Sequence, residues 1–169
     1  MNVAGLDLST KRIGYATPAG HLLSISGHAK ADDPYRRLHE LTRDLVRAFT
    51  LNPPAPDLVV VEDYALGAPG RLSLVRLGEI GGIVRTWLFE QDFRIALVPP
   101  GTLKRFATGN GNAKKDAMMA RAIELGARGN VNDDEADAFH LRRMGRAAHG
   151  LEGSLLPHEI DAIAVVASW

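Results

Sequence analysis

Cysteine is absent from the 169 residues. That excludes a disulfide framework and any thiolate zinc site, and it agrees with a reducing cytoplasm. Long apolar runs are missing as well: no stretch reaches the roughly 18 consecutive apolar residues that a membrane span takes. The N-terminus lacks a basic start followed by an apolar core, so no signal peptide is expected. Repeats and low-complexity tracts are absent. Net charge is missing too, because 20 Lys and Arg balance 20 Asp and Glu; many nucleic-acid binders are basic overall, and this chain is not. What is present is globular composition, 46% apolar and 24% charged. The length suits one α/β domain with a real core. A cytoplasmic protein without a membrane partner is expected.

Distribution matters more than the sum of charge. Between Pro99 and Arg121 stand Lys104, Arg105, Lys114, Lys115 and Arg121 against one acid, Asp116, and Arg142, Arg143 and Arg146 come soon after. The acidic surplus lies around Asp32, Glu62 and Asp133.

Three short strands open the chain, Val3 to Leu8, Arg12 to Thr17 and His21 to Gly27, joined by tight turns as an antiparallel meander. Asp32-Asp33-Pro34 starts a helix, with an acid at the cap and proline in the first turn. Leu38, Leu41, Leu45, Val46 and Phe49 keep its helical period, and Asn52-Pro53-Pro54 ends it. Leu58 to Val61 is a continuous apolar run, as in a strand covered on both faces, and it ends at Glu62-Asp63. A long helix from Leu72 to Glu90, a strand from Arg94 to Val98, a break at Pro99-Pro100-Gly101, and helices over 113–127 and 133–148 complete the order βββ-α-β-α-β-α-α. That order predicts a mixed five-stranded sheet, a meander followed by parallel strands, with helices on both faces. Residues 1–149 make the domain. Residues 150–169 form a tail, either a short amphipathic helix or partly disordered.

Asp7 ends the first strand, Glu62 ends the apolar strand, and Asp134 and Asp137 lie in the first turn of the last long helix. Positions i and i+3 share one helical face, which continues through the apolar Leu141, Met144 and Ala148. The two aspartates therefore sit on the inward side. Buried unpaired carboxylates are costly, so several that converge imply a cation between them. Oxygen ligands alone select a hard ion, Mg²⁺ or Mn²⁺. Blander roles exist for each residue. Asn132 or Asp133 is an N-cap, and with Asn132 in that role Glu135 completes a capping box. Acids in a first turn also suit the helix dipole.

Residues 5–16 (GLDLSTKRIGYA), Val59-Val-Val-Glu62 and Asp134-Glu-Ala-Asp-Ala138 resemble, in order, the RuvC family of Holliday junction resolvases. The segment 104–116 (KRFATGNGNAKKD) is most similar to the phage and actinobacterial branch of that family. The resemblance spans about residues 2 to 148 and implies an RNase H-like fold. It implies a metal-dependent endonuclease cutting four-way and other branched DNA, with Asp7, Glu62, Asp134 and Asp137 as catalytic metal ligands. A catalytic or DNA-contacting lysine of the family matches Lys114 or Lys115, and the sequence does not choose between them. Where bacterial resolvases carry a phenylalanine that stacks on a junction base, this chain has Tyr64 and Leu66.

Two ions about 3.5–4 Å apart relieve charge on both the attacking and the leaving oxygen of a phosphodiester. Asp7, on the central strand, is the expected bridge. Glu62 is expected to hold one ion and orient the attacking water, with Asp134 and Asp137 on the other. His140, one turn on, is a candidate helper at the leaving group, although a helical histidine is more often packed. The stretch 108–115 offers glycines and exposed N–H groups to a phosphate, and with Lys104, Arg105, Lys114 and Lys115 it forms the expected DNA contact. Gly78, Gly81 and Gly82 weaken the helix that holds them by roughly 1 kcal/mol each. A homodimer through residues 72–90, which the resemblance implies, would compensate, as would a kink or close packing within one chain. Rival readings are a sugar kinase or actin-type ATPase, a nuclease of RNA or RNA–DNA hybrid, and a non-catalytic nucleic-acid-binding module.

Overall fold

The computed structural model describes residues 1–27, 33–64 and 71–167. Five strands, β1 (Val3–Leu8), β2 (Arg12–Ala16), β3 (Leu22–Ser26), β4 (Leu58–Glu62) and β5 (Arg94–Val98), form one sheet in the order β3-β2-β1-β4-β5. The meander β1-β2-β3 is antiparallel, and β1, β4 and β5 run parallel. This is the mixed five-stranded sheet that the order of apolar runs predicts.

Strand alternation divides the core in two. Val3, Leu58 and Val60 face one layer, while Ala4, Leu6, Val59 and Val61 face the other. The second layer holds α1 (Pro34–Leu51) and α2 (Arg71–Glu90), whose Leu41, Leu45, Phe49, Ile80, Val84 and Leu88 are buried against the sheet. Phe49 stacks on Tyr15 with ring centroids 4.6 Å apart. Helix α1 begins as its sequence indicates: the Asp33 side chain accepts the Arg36 N–H at 2.9 Å, with proline in the first turn.

The first layer is built on α5 (Asp133–Ala148), flanked by α3 (Pro100–Thr108), α4 (Lys115–Glu124) and α6 (Pro157–Ala167). Helix α5 lies directly on β1 and β2. A Cβ at Gly5 would run into the Ala138 carbonyl oxygen, and one at Gly14 into that of Asp134. Only glycine lets the helix settle this close, and that seating fixes where its first turn falls over the sheet.

One element differs from expectation, and one left open takes the helical alternative. Pro99-Pro100-Gly101 reads as a break, yet Pro100 opens α3, because its missing N–H costs nothing in a first turn. Lys104 and Arg105 therefore stand on a helix, not in a loop, and the glycine-rich connection shrinks to residues 109–114. The segment read as a tail folds back as α6, with Ala162 and Val166 in the core and Glu159 buried against Arg143 at 2.7 Å. No helix among the described residues is long and apolar enough to cross a membrane.

Candidate active site

Parity along the strands delivers the first two acids. Asp7 follows Val3 and Gly5 on the α5 side of β1, and Glu62 follows Leu58 and Val60 on the α5 side of β4. Leu6 pairs with Val61 in the parallel ladder, so Asp7 and Glu62 come one step later at the same edge. Their carboxyl groups are hydrogen-bonded to each other. Across β1 on the other side, Asp7 pairs with Gly14, the residue on which the Asp134 backbone rests.

The helix delivers the other two. Asn132 caps α5, accepting the Glu135 N–H at 3.0 Å, while the Glu135 carboxylate accepts the Asn132 N–H at 3.0 Å. This reciprocal box sets the start of the helix. Asp134 and Asp137 then face the sheet edge that holds Asp7 and Glu62.

The electrostatics show that the four acids interact. Burial pushes the Asp7 carboxyl well above the usual carboxylate range, and repulsion from Glu62, Asp137 and Asp134 adds to it. Glu62 is pushed up to about 7, first by burial and then by Asp137. Asp137 is raised by burial to about 6, with Lys104 and Lys115 pulling against the rise. Repelling carboxylates held out of water are the signature of a site that wants positive charge.

In the chain as it stands, protons and basic side chains supply that charge. The Asp7–Glu62 hydrogen bond needs a shared proton. Asp134 lies 2.6 Å from the Arg12 guanidinium. Among the described residues, no three acid or histidine side chains are gathered closely enough to hold an ion without rearrangement. The donor set nonetheless fits a hard divalent cation: four carboxylates from three elements, oxygen only, with no thiol or imidazole among them. Loss of the shared proton and release of Asp134 from Arg12 would complete it.

The two candidate lysines are not equivalent. Lys115 pairs with Asp133, and its charge is felt by Asp137. Lys114 occupies the cap position of α4, exposed, without an ion-pair partner among the described residues. Lys104 lies close enough to draw Glu62 and Asp137 downward. Arg105 is exposed beside the open hollow lined by Gly101, Thr102, Gly109 and Asn112.

Tyr64 is not presented as a free stacking ring. Its ring packs against Gly81 of α2, where a Cβ would strike its hydroxyl, and the Arg85 guanidinium covers it at 4.3 Å. Gly81 is thus explained within one chain rather than by a second helix. A Cβ at Gly78 or Gly82 would meet nothing within 4 Å. Leu66 lies outside the described residues.

His140 faces away from the cluster. It is fully buried, with its Nε2 3.0 Å from the Met118 carbonyl oxygen of α4. Burial lowers its pKa to about 4, so it is neutral and structural, not a proton donor at the acids.

Two residues that sequence reading left aside belong to the site: Arg12, and Asp133 as more than a neighbour of the cap. The signal for Arg12 was its parity with Gly14, which puts it on the α5 side of β2.

No family model matches the chain. Among curated proteins it is similar to the crossover junction endodeoxyribonuclease RuvC of Koribacter versatilis, 27% identical over 138 residues covering 74% of this chain and 80% of that protein. RuvC of Rickettsia bellii is 26% identical over 150 residues, covering 83% of this chain and 94% of the relative. Among solved structures, T. thermophilus RuvC in complex with a Holliday junction substrate superposes with a TM-score of 0.64 at 19% identity, covering 88% and 96% of the two chains. A second Thermus thermophilus RuvC structure gives 0.60 at 21% identity. The fold is that of RuvC, and by sequence the chain is related over most of its length to the RuvC crossover junction endodeoxyribonucleases.

Proposed function

We propose that the chain is a divalent-metal-dependent endonuclease that cuts four-way junctions and other branched DNA. The observation that carries this reading is the convergence of Asp7 and Asp134, buried, with Glu62 and Asp137, half-buried, as mutually repelling acids beside Lys104 and Lys115. In this reading Asp7, Glu62, Asp134 and Asp137 would hold hard divalent cations, Mg²⁺ or Mn²⁺. Such ions supply charge relief at the attacking and leaving oxygens of a phosphodiester.

The chain's own residues do the rest. Glu62 orients the attacking water at the open end of the sheet. Lys104 and Lys115 draw the scissile phosphate toward the acids, and residues 109–112 let a strand approach α4 closely. These backbone contacts position DNA without reading its sequence. We place the protein in the cytoplasm. Segment 104–116 supports the phage and actinobacterial branch as the finer placement, whereas the relatives found are from Koribacter and Rickettsia.

A twofold dimer would set two such sites on symmetric strands of a junction. The surface that supports it is the outer face of α2, where Val75 and Ile83 are exposed beside the open Gly78 and Gly82. Ile83→Glu should give a monomer in sedimentation velocity.

Cleavage tests the reading. Purified protein with Mg²⁺ is offered a four-way junction, a replication fork, a flap, linear duplex and an RNA–DNA hybrid. Preferential cutting of the branched DNA, lost in Glu62→Gln while junction binding persists, is the expected result. Equal cutting of the hybrid would reassign the substrate, and cleavage surviving in Glu62→Gln would remove the metal assignment.

A further inference from the structure

Asp133 stands outside the cluster of four acids, yet three elements meet at it. Its Oδ1 accepts from Arg12 Nη2 of β2 at 3.0 Å, and its Oδ2 accepts from Lys115 Nζ at the start of α4. Arg12 in turn reaches Asp134 with its Nε at 2.6 Å, so one guanidinium spans two consecutive carboxylates. The backbone of Arg12 is itself fixed: Ser9 Oγ donates to its carbonyl oxygen at 2.7 Å and accepts its N–H at 3.1 Å.

Both oxygens of Asp133 are therefore spoken for from opposite sides, which defines its rotamer. Lys115 has a long, flexible stem and is exposed, so nothing in its own helix directs it. Lys114, one residue earlier, has no such tether and does not join the acids. An exposed pair of this kind contributes little to stability, and its effect is geometric.

We propose that Asp133 is a positioning residue: held by Arg12, it sets the Lys115 ammonium beside the metal-binding carboxylates, where it meets the scissile phosphate. The proposal rests on the nuclease reading for the role of Lys115, but the tether itself is a property of the free protein.

Two measurements separate these. In metal-free protein, hydrogen exchange is followed at Ala117 and Met118, whose N–H groups bond to the Lys114 carbonyl oxygen in the first turn of α4. Asp133→Asn and Lys115→Gln should each speed exchange about twofold, and the double variant no further. Unchanged exchange in either single variant overturns the tether. In cleavage of a four-way junction, Asp133→Asn should lower kcat about tenfold at saturating DNA, with metal-free junction affinity held within about twofold. Asp133→Glu should recover part of the rate. In a Lys115→Gln background, Asp133→Asn should cost less than about twofold. An unaltered kcat, or the full loss persisting without Lys115, overturns the positioning role. A wild-type protein that cuts no branched DNA would instead sink the nuclease reading and leave the exchange result to decide the tether.

Discussion

Replacing Glu62 by Gln should make the metal-free protein more stable at alkaline pH, even though it removes an active-site group. Glu62 titrates near 7 in the folded chain against an ordinary value of 4.5, chiefly because it is buried and faces Asp137. Each pKa unit corresponds to about 1.4 kcal/mol, so the full displacement is about 3 kcal/mol. The folded and unfolded states ionise at different pH, and that difference sets the sign. Below about pH 4.5 the group is protonated whether folded or not, and it costs nothing. Between 4.5 and 7 the unfolded chain ionises first, so stability falls as pH rises. Above 7 the folded chain carries the whole cost. Gln abolishes the titration, so the variant should gain about 2–3 kcal/mol over its parent at pH 8 and almost nothing at pH 4.5. For a chain of this size that is a Tm difference of about 5–10 °C. Thermal unfolding in chelator from pH 4.5 to 8.5 measures it, and subtracting parent from variant cancels the groups that do not interact with Glu62, while relief of Asp7 adds in the same direction. Saturating Mg²⁺ should raise the parent's Tm and leave the variant's nearly where it was. A pH-independent difference, or a variant less stable than its parent at pH 8, would refute the reasoning.

The remaining predictions test the frame around the site. Gly14→Ala sets a methyl group against the Asp134 carbonyl oxygen, so it should destabilise by about 1–3 kcal/mol and displace the start of α5, read as a lower Tm together with weaker Mn²⁺ binding. Arg143→Met strands Glu159, whose side chain is 1% exposed. The loss should be about 3–5 kcal/mol in chemical denaturation, partly restored by adding Glu159→Gln. His140 is neutral when folded, with its pKa lowered by burial to about 4 from 6.5. It binds a proton in the unfolded chain first, so stability should fall as pH drops from 6.5 to 4. His140→Gln should flatten that slope without changing the pH dependence of cleavage above pH 7.

The sheet was legible because its signals are local and periodic. Val59-Val-Val sits before Glu62 with the parity that sends an acid toward α5, and the Asn132–Glu135 box marks a helix start to the residue. Helix α3 was hidden because Pro-Pro-Gly carries two meanings, a stop for the strand before it and a permitted first turn for the helix after it. The C-terminal helix was ambiguous because its attachment is tertiary: Glu159 pairs with Arg143 from another helix, and Ala162 and Val166 join the core. Tyr64 and Gly81 lie 17 positions apart, and nothing local says that the ring fills the glycine's gap. Arg12 and Asp133 illustrate the general limit. Each looks like an ordinary surface charge until β2 and α5 are stacked through Gly14, and only then do they close on Asp134 and Lys115.

A cation shared by Asp7, Glu62 and Asp137 at one edge of the sheet is the centre of the proposed chemistry. Anomalous diffraction from crystals soaked in Mn²⁺ looks at it directly. One or two peaks bounded by these carboxylates, with Asp134 turned from Arg12 to join them, is the expected map. Manganese bound elsewhere, with the Asp7–Glu62 hydrogen bond intact, would contradict it.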